Sequence, residues 1–568
     1  MSFVVKEPTP KQILERERLD VPTEHQPKED LALLEDKVPE SLRSSKLLAV
    51  FTAVFGVGYV LLSILPISHT DVWGHIHYGQ VIVAQRAIPA TEPLMALAKG
   101  VPYVDSAWLS KVLGYLTYNQ FGLYGLQFLF AFAVTATCAV LTGSIYKRSR
   151  SFWGSLLGVG FFCLMAKPQL EIIRPQLAGL LCFALLLNYV TSQSTRRADY
   201  WRVPLIFVFW ANLHGSFFVG LVALGAAFVG QAIDVGRRTG SLIAVLRARS
   251  VWRWFILLEL AAVAVLLNPS GIGIYSDVLA IAGSPNMRII HEWAPLTFKL
   301  WQGKWAFVAV LSFLVLYRLS PRRVTTTEFL LLAGFGALTL WSSRMMMWWG
   351  PVVGLYLGLH LAAIFRKCRR ADICPEEAPG SGKWSVVVVG IAWLFFALSP
   401  ICSTLLHGWK LYIPGDTRTV LSDQDANRFR EDPGVGLFRK RVSYYTPIDA
   451  ANYIREHHSD LPEGLMFCGY EWGDYLGVAG IGNRPVFVNS HAHLVPTEVW
   501  DDWIQIARGD ADWDDKLDRY GVNLVAIEPD GYSGLKRQLD KSDTWKLVFE
   551  DPYGVSVIYQ RRKPITVP

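Results

Sequence analysis

Apolar blocks of about 17 to 22 residues, the length needed to cross a hydrocarbon core of roughly 30 Å, recur between residues 45 and 406. Such blocks leave few folds open. In lipid, every backbone N–H and C=O must be satisfied within its own segment, so a chain with many of these blocks folds as a bundle of membrane helices. The 568 residues are 52% hydrophobic, and an aromatic share of 13% suits a protein with two interfacial belts. The net charge of +7 suggests a nucleic-acid partner only if its position is ignored. Most of the surplus lies in short loops between apolar blocks, which makes it a topology signal and leaves no nucleic acid among the expected partners.

Residues 1–45 carry charges of both signs and several prolines but no apolar core. They read as a disordered cytoplasmic tail without a cleavable signal peptide, so the first apolar block acts as the insertion signal. That block is 45–66. Further spans are expected at 123–145, 152–166, 176–190, 254–267, 305–319, 326–341, 347–365 and 386–406. Two amphipathic segments, 75–84 and 108–120, fill a large first outer loop at 68–122. The stretch 203–233 is too long for one ordinary span and is interrupted at Asn212-Leu213-His214-Gly215, with arginines flanking both ends. It reads as a hairpin of two short helices, a single tilted helix being the alternative. The hairpin gives about eleven crossings, places every short basic loop inside, and puts the N-terminus in the cytoplasm.

Beyond the spans, 407–442 is charged and punctuated by Gly and Pro, as a linker is, and 443–568 reads as an extracytoplasmic α/β domain. Strand-like runs at 465–468, 486–489, 524–527 and 555–559 alternate there with helical patterns at 448–457 and 517–520. The expected fold is therefore a polytopic α-helical membrane domain (46–406) followed by a C-terminal extracytoplasmic α/β domain. Seven cysteines add little. Cys138, Cys163 and Cys182 lie in apolar blocks, and Cys468 lies within the α/β domain, so no disulfide framework is expected.

Polar residues are costly beside apolar spans, and under this topology they gather at one face. Asp71 follows the first span. Arg174 lies in Arg174-Pro175-Gln176, Asn212 and His214 at the hairpin tip, and Asn268 in Asn268-Pro269-Ser270-Gly271. His291 and Glu292 fall in an outer loop, and Arg344 ends the ninth span in Ser342-Ser343-Arg344. Arginine holds phosphate through a planar fork and keeps its charge, while a nearby carboxylate can take a proton from a hydroxyl. The set suits chemistry on an anionic lipid head group.

The segment Asp71-Val72-Trp73-Gly74-His75-Ile76-His77-Tyr78-Gly79, continued by Ile88-Pro89-Ala90-Thr91-Glu92-Pro93 and Ser106-Ala107-Trp108-Leu109, resembles the first outer loop of bacterial GT-C superfamily glycosyltransferases. The nearest group is the bacterial members with an RgtA/B/C/D-like or protein-mannosyltransferase-like membrane domain. Arg174-Pro175-Gln176, Trp210-Ala211-Asn212-Leu213-His214-Gly215, Asn268-Pro269 and Glu292-Trp293 fit it as well. The resemblance implies a multi-pass protein of the plasma membrane and cell envelope. It would move a sugar from a polyprenyl-phosphate donor to a glycan, lipid or protein acceptor in one inverting displacement. It implies that Asp71 is the catalytic base or orients the acceptor, and the charge of Arg174 and Arg344 suits them to hold the donor phosphate. His75, Glu92, Asp105, Asn212, His214, Asn268, His291 and Glu292 are supporting residues. Better-known members carry paired acids in this loop, whereas Val72 follows Asp71 here, so a second carboxylate would be Glu92 or Asp105. No cofactor is expected, with a divalent metal on Asp71, His75 and His77 as the minor alternative.

Each signal has a plainer reading. Asp71 suits a helix N-cap, Asn212 and His214 suit a broken membrane helix, and Arg174 and Arg344 suit interfacial anchoring. Glu471, Trp472 and Tyr475 mix carboxylate and aromatic faces as carbohydrate contacts do, yet Trp472 and Tyr475 also sit at core spacing. His491 and His493 could line a loop site. Two other functions stay open, a transporter or flippase of a lipid-linked glycan and a non-catalytic envelope scaffold.

Overall fold

The computed structural model describes residues 46–67, 71–192, 196–368, 383–398, 442–443, 445–479, 481–482 and 484–565. The expected tail at 1–45, nearly all of the linker and the end of the last span lie outside these residues. Of the described residues, 46–52 and 383–391 belong to one compact unit, and the remainder, discussed below, belongs to a second.

The protein is a multi-pass helical membrane protein with a C-terminal α/β domain. Its helices are α1 (Lys46–Ser63), α2 (Asp71–Gln85), α3 (Trp108–Ser149), α4 (Phe152–Leu170), α5 (Gln176–Val190), α6 (Asp199–Leu213) and α7 (Phe217–Thr239). They continue with α8 (Leu242–Arg247), α9 (Arg249–Val265), α10 (Gly273–Gly283), α11 (Trp301–Leu319), α12 (Thr326–Trp341), α13 (Met346–Cys368) and α14 (Lys383–Leu398). Among the described residues, α3, α7, α11 and the stretch Ser343–Cys368 are long and apolar enough to cross a membrane by length and composition alone. Each expected span holds a helix.

The second amphipathic segment and the second span, 108–120 and 123–145, are two helical segments within α3 that meet at Gly122, whose backbone (φ 59°, ψ −148°) is not helical. Only glycine adopts that conformation without strain. The first half of α3 lies against α2, where Gly79 lets the Lys111 carbonyl approach closely. Helix α10, in the outer loop after Asn268-Pro269, was not expected, because its short apolar run gives no span-length signal.

The 203–233 stretch is a hairpin. Helix α6 starts at Asp199, beside a basic cavity on one face, and ends at His214, which lines a second cavity under the α/β domain. Helix α7 returns, and Asp234 near its end accepts from the Thr326 N–H at 3.3 Å, close to Arg322 of the basic cavity. At the tip, Trp210 Nε1 donates to Ser216 Oγ at 2.9 Å. Helices α4 and α13 meet through Gly154 and Gly158 against Gly354 and Gly358, where an added Cβ would overlap the facing main chain. Small residues at four-residue spacing permit this close packing in a membrane, where apolar burial supplies little driving force. Phe162, Phe183, Phe207 and Phe335 are buried in the core of the helical bundle.

The C-terminal domain comprises α15 (Ile448–Glu456), β1 (Leu465–Cys468), α16 (Tyr470–Val478), α17 (Thr497–Arg508), α18 (Trp513–Arg519), β2 (Val522–Ile527), α19 (Ser533–Lys541), β3 (Trp545–Glu550) and β4 (Val557–Arg561). The sheet order is β1-β2-β4-β3, with β1 parallel to β2 and the other pairs antiparallel. The run 486–489 forms only an isolated bridge, Val486 with Met466. Strand β3 escaped the sequence because it lies at the sheet edge with most of its side chains partly or fully exposed. Among the described residues, contacts between the domain and the membrane part include the following. Ser443 N–H donates to Ile67 O at 2.7 Å. Asn286 Nδ2 donates to Ala492 O and Val495 O, each at 2.8 Å. Gly74 of α2 receives Asp474 of α16 so closely that a Cβ there would overlap the carboxylate.

Candidate active site

Helix α2 opens with Asp71, and the turn before α5 presents Arg174 to it. Arg174 Nη2 lies 2.6 Å from Asp71 Oδ2, and Nη1 lies 2.6 Å from Glu292 Oε1. Glu292 comes from the 3-10 turn His291–Trp293, and its other oxygen lies 3.7 Å from Arg344 Nη1. Ser343 fixes this corner, with its N–H on Ala294 O at 2.9 Å and its Oγ on Glu292 O at 3.0 Å. Four separate segments thus build an alternating row of carboxylate, guanidinium, carboxylate and guanidinium.

The row lines a cavity of about 370 Å³ beneath the α/β domain. Its second wall is Lys111, 3.1 Å from Asp105 Oδ2 and donating to Tyr103 OH at 2.8 Å, while the Tyr103 hydroxyl donates to Asp105 at 2.7 Å. The roof is Tyr470, Glu471, Ser490, His491 and His493 from the C-terminal domain.

Burial opposes the Arg174 charge, but Asp71 and Glu292 more than offset this and hold its pKa above the ordinary arginine value. Burial alone would raise Glu292, yet Arg174 and Arg344 bring it below the usual carboxylate range. Burial, chiefly, lowers His75 and His214 to about 3 and His493 to about 4, and takes His491 well below its ordinary value. These imidazoles are neutral at physiological pH. Burial, reinforced by Asp71, raises Asp474, the group packed on Gly74, well above the carboxylate range.

No family model matches the sequence, and no curated protein matches it. Two solved structures are similar to the chain. One is ArnT from Cupriavidus metallidurans bound to undecaprenyl phosphate, at TM-score 0.47 and 14% identity, with 91% of this chain and 98% of that one covered. The other is ArnT from the same organism in the apo state, at TM-score 0.44 and 14% identity, covering 90% of this chain and 97% of that one.

The cavity brings together Asp71, His75, Asp105, Arg174, His214, Glu292, Arg344 and Glu471 from the sequence-derived set. Other members of that set lie elsewhere. Glu92 accepts from Tyr78 OH at 2.8 Å and from the Leu94 and Met95 N–H groups, so it holds a turn of the first loop. Asn212 accepts from Trp108 Nε1 and donates to Val208 O and Leu267 O, each at 2.8 Å, which ties the hairpin end to α3 and α9. Asn268 accepts from Ser270 N–H at 2.7 Å and closes the turn after α9. His291 opens the 3-10 turn that carries Glu292. Trp472 and Tyr475 are buried in the apolar cluster between α2 and the C-terminal domain, where Tyr475 meets Trp73 edge-on at 5.5 Å.

The sequence missed Lys111, Tyr103 and Tyr470. Lys111 sits in the first turn of α3, in a polar, aromatic stretch, and the fold brings it to Asp105. Arg174, expected to hold the donor phosphate, lies between two carboxylates. Among the described residues no group of three or more His, Cys, Asp or Glu side chains is arranged to hold a metal ion.

Proposed function

We propose that the protein is a membrane glycosyltransferase that moves a sugar from a polyprenyl-phosphate donor to an acceptor at the membrane face covered by the C-terminal domain. The observation that carries this reading is the partly buried row Asp71, Arg174, Glu292 and Arg344 in one cavity, where carboxylates and guanidiniums stand side by side. The donor phosphate displaces Glu292 from the guanidiniums and takes the inner positions on Arg344 and Arg174. Asp71, released in part from Arg174, accepts the proton of the acceptor hydroxyl as its oxygen attacks the anomeric carbon. The bond from that carbon to the phosphate oxygen breaks, its electron pair stays on the phosphate, and the guanidiniums stabilise the charge that develops there. One displacement inverts the anomeric configuration. Glu471 and the neutral His491 and His493 line the acceptor side.

The aromatic packing in the core of the helical bundle supports this reading over transport, since it fills the region a translocation path would cross. On the positive-inside rule the site faces outward across the plasma membrane.

The test is transfer in proteoliposomes from labelled polyprenyl-phosphate sugars to a host envelope extract, comparing the wild type with Asp71→Asn. Loss of transfer by a thousandfold or more in a folded variant supports the base. Full transfer by Asp71→Asn removes Asp71 from that role, and no transfer by the wild type from any donor rejects the reading.

A further inference from the structure

On the face opposite the candidate active site, a cavity of about 1180 Å³ opens among the ends of α3, α5 and α13, the start of α6 and the turn between α11 and α12. Three of its arginines serve the fold. Arg148 donates to Ser144 O at 2.7 Å and Thr191 O at 3.1 Å, completing the ends of α3 and α5. Arg366 donates to Ser149 O. Arg322 pairs with Glu328 at 2.6 Å, and the other Glu328 oxygen lies 2.7 Å from buried His360.

Four further cations on the wall do none of this. Lys147, Arg196, Arg202 and Lys367 are exposed, and none has a side-chain carboxylate partner among the described residues. Asp199, the one acid among the described lining residues, accepts from the Arg196 main-chain N–H at 2.9 Å. Gathering like charges in one concavity is unfavourable unless an anion offsets them. Membrane topology does not require it, because loop charge alone sets orientation. Arg197, Arg237, Arg318 and Arg323 supply such charge from exposed positions that do not line the cavity.

The cavity also lies at head-group depth. Trp153 and Trp201, each more than half exposed, flank its helices as interfacial aromatics do, and Trp201 stacks with Arg202 at 5.2 Å. Leu359, Ala362 and Ala363 give it an apolar side where acyl chains can begin. Basic pockets between membrane helices take anionic head groups in this manner.

We propose that this basic cavity binds the phosphate head group of an anionic lipid from the adjoining leaflet, a site distinct from the candidate active site and independent of the function assigned to it. The experiment uses the full chain in phosphatidylcholine nanodiscs doped with cardiolipin or phosphatidylglycerol. It reads lipid retention by native mass spectrometry and the melting temperature. Inorganic pyrophosphate is the soluble competitor. The variant Lys147→Gln/Arg196→Gln/Arg202→Gln/Lys367→Gln is compared with Arg197→Gln/Arg237→Gln/Arg318→Gln/Arg323→Gln, which removes the same charge from the same face outside the cavity. Retention should fall tenfold or more in the cavity variant and less than threefold in the control, with the thermal stabilisation by anionic lipid lost only in the former. Equal losses in both variants overturn the proposal, since general surface charge then accounts for binding. Displacement of the lipid by equimolar pyrophosphate overturns the lipid source and assigns the cavity to a soluble anion.

Discussion

Arg174 lies 2.6 Å from both Asp71 and Glu292, so its removal leaves two carboxylates facing each other with little solvent. Breaking a buried pair from one side costs about 3–5 kcal/mol, much of it from the uncompensated charge. Arg174→Ala should therefore lower the melting temperature strongly, and adding Asp71→Asn should restore part of the loss in a double-mutant cycle. Arg344 is less tightly held, 3.7 Å from Glu292 and 3.5 Å from Gln176. Arg344→Lys keeps the charge but loses the planar fork, so it should raise KM for the donor at least tenfold with a smaller fall in kcat. The histidines give a pH prediction. His75 and His214 have folded pKa values near 3 and His493 near 4, all below the unfolded value of about 6.5. Between those limits the unfolded chain binds more protons, so stability is full above about pH 6.5 and declines as pH falls toward 4. Melting temperature against pH should flatten in that window when His493 is replaced by Gln.

At the scale of elements, glycines decide which helices touch. The α4–α13 contact rests on Gly154, Gly158, Gly354 and Gly358, and Gly354→Leu should separate the helices and abolish the folded protein in detergent. The contact between α2 and α16 rests on Gly74 beneath Asp474. Gly74→Ala should cost about 1–3 kcal/mol by overpacking, and Gly74→Ala/Asp474→Ala should recover most of it, as read by thermal melting. The spans were legible because a block of apolar residues has one stable outcome in lipid. The break at Gly122 was legible too, since the expected segments 108–120 and 123–145 fall on either side of its non-helical backbone. Strands β1, β2 and β4 were legible in part through their buried apolar runs, whereas edge strand β3 lacks one.

For the molecule as a whole, the α/β domain is the roof of the candidate site, and Asn286 bridges to it through two main-chain carbonyls. Asn286→Ala should loosen this docking. Hydrogen exchange should then rise at 491–495 and at the cavity wall around 103–107, while exchange in the central strand β2 stays unchanged. A uniform rise across the domain would mean that Asn286 supports the fold of the domain and not its docking.

The sequence by itself determined the environment, the order of the spans, the position of the α/β domain along the chain and the gathering of Asp71, Arg174, His214, Glu292 and Arg344 at one face. Each follows from the cost of placing a charge or an unpaired backbone group in lipid, which is local to its segment. Only the tertiary structure decided how those residues pair. Arg174 lies between two carboxylates, Lys111 reaches Asp105, Glu92 and Asn212 turn to main-chain and neighbouring groups, and the roof histidines meet the row from some 400 residues along the chain. Pairing depends on distances between segments far apart in sequence, and those distances are fixed by helix packing, which no single segment encodes.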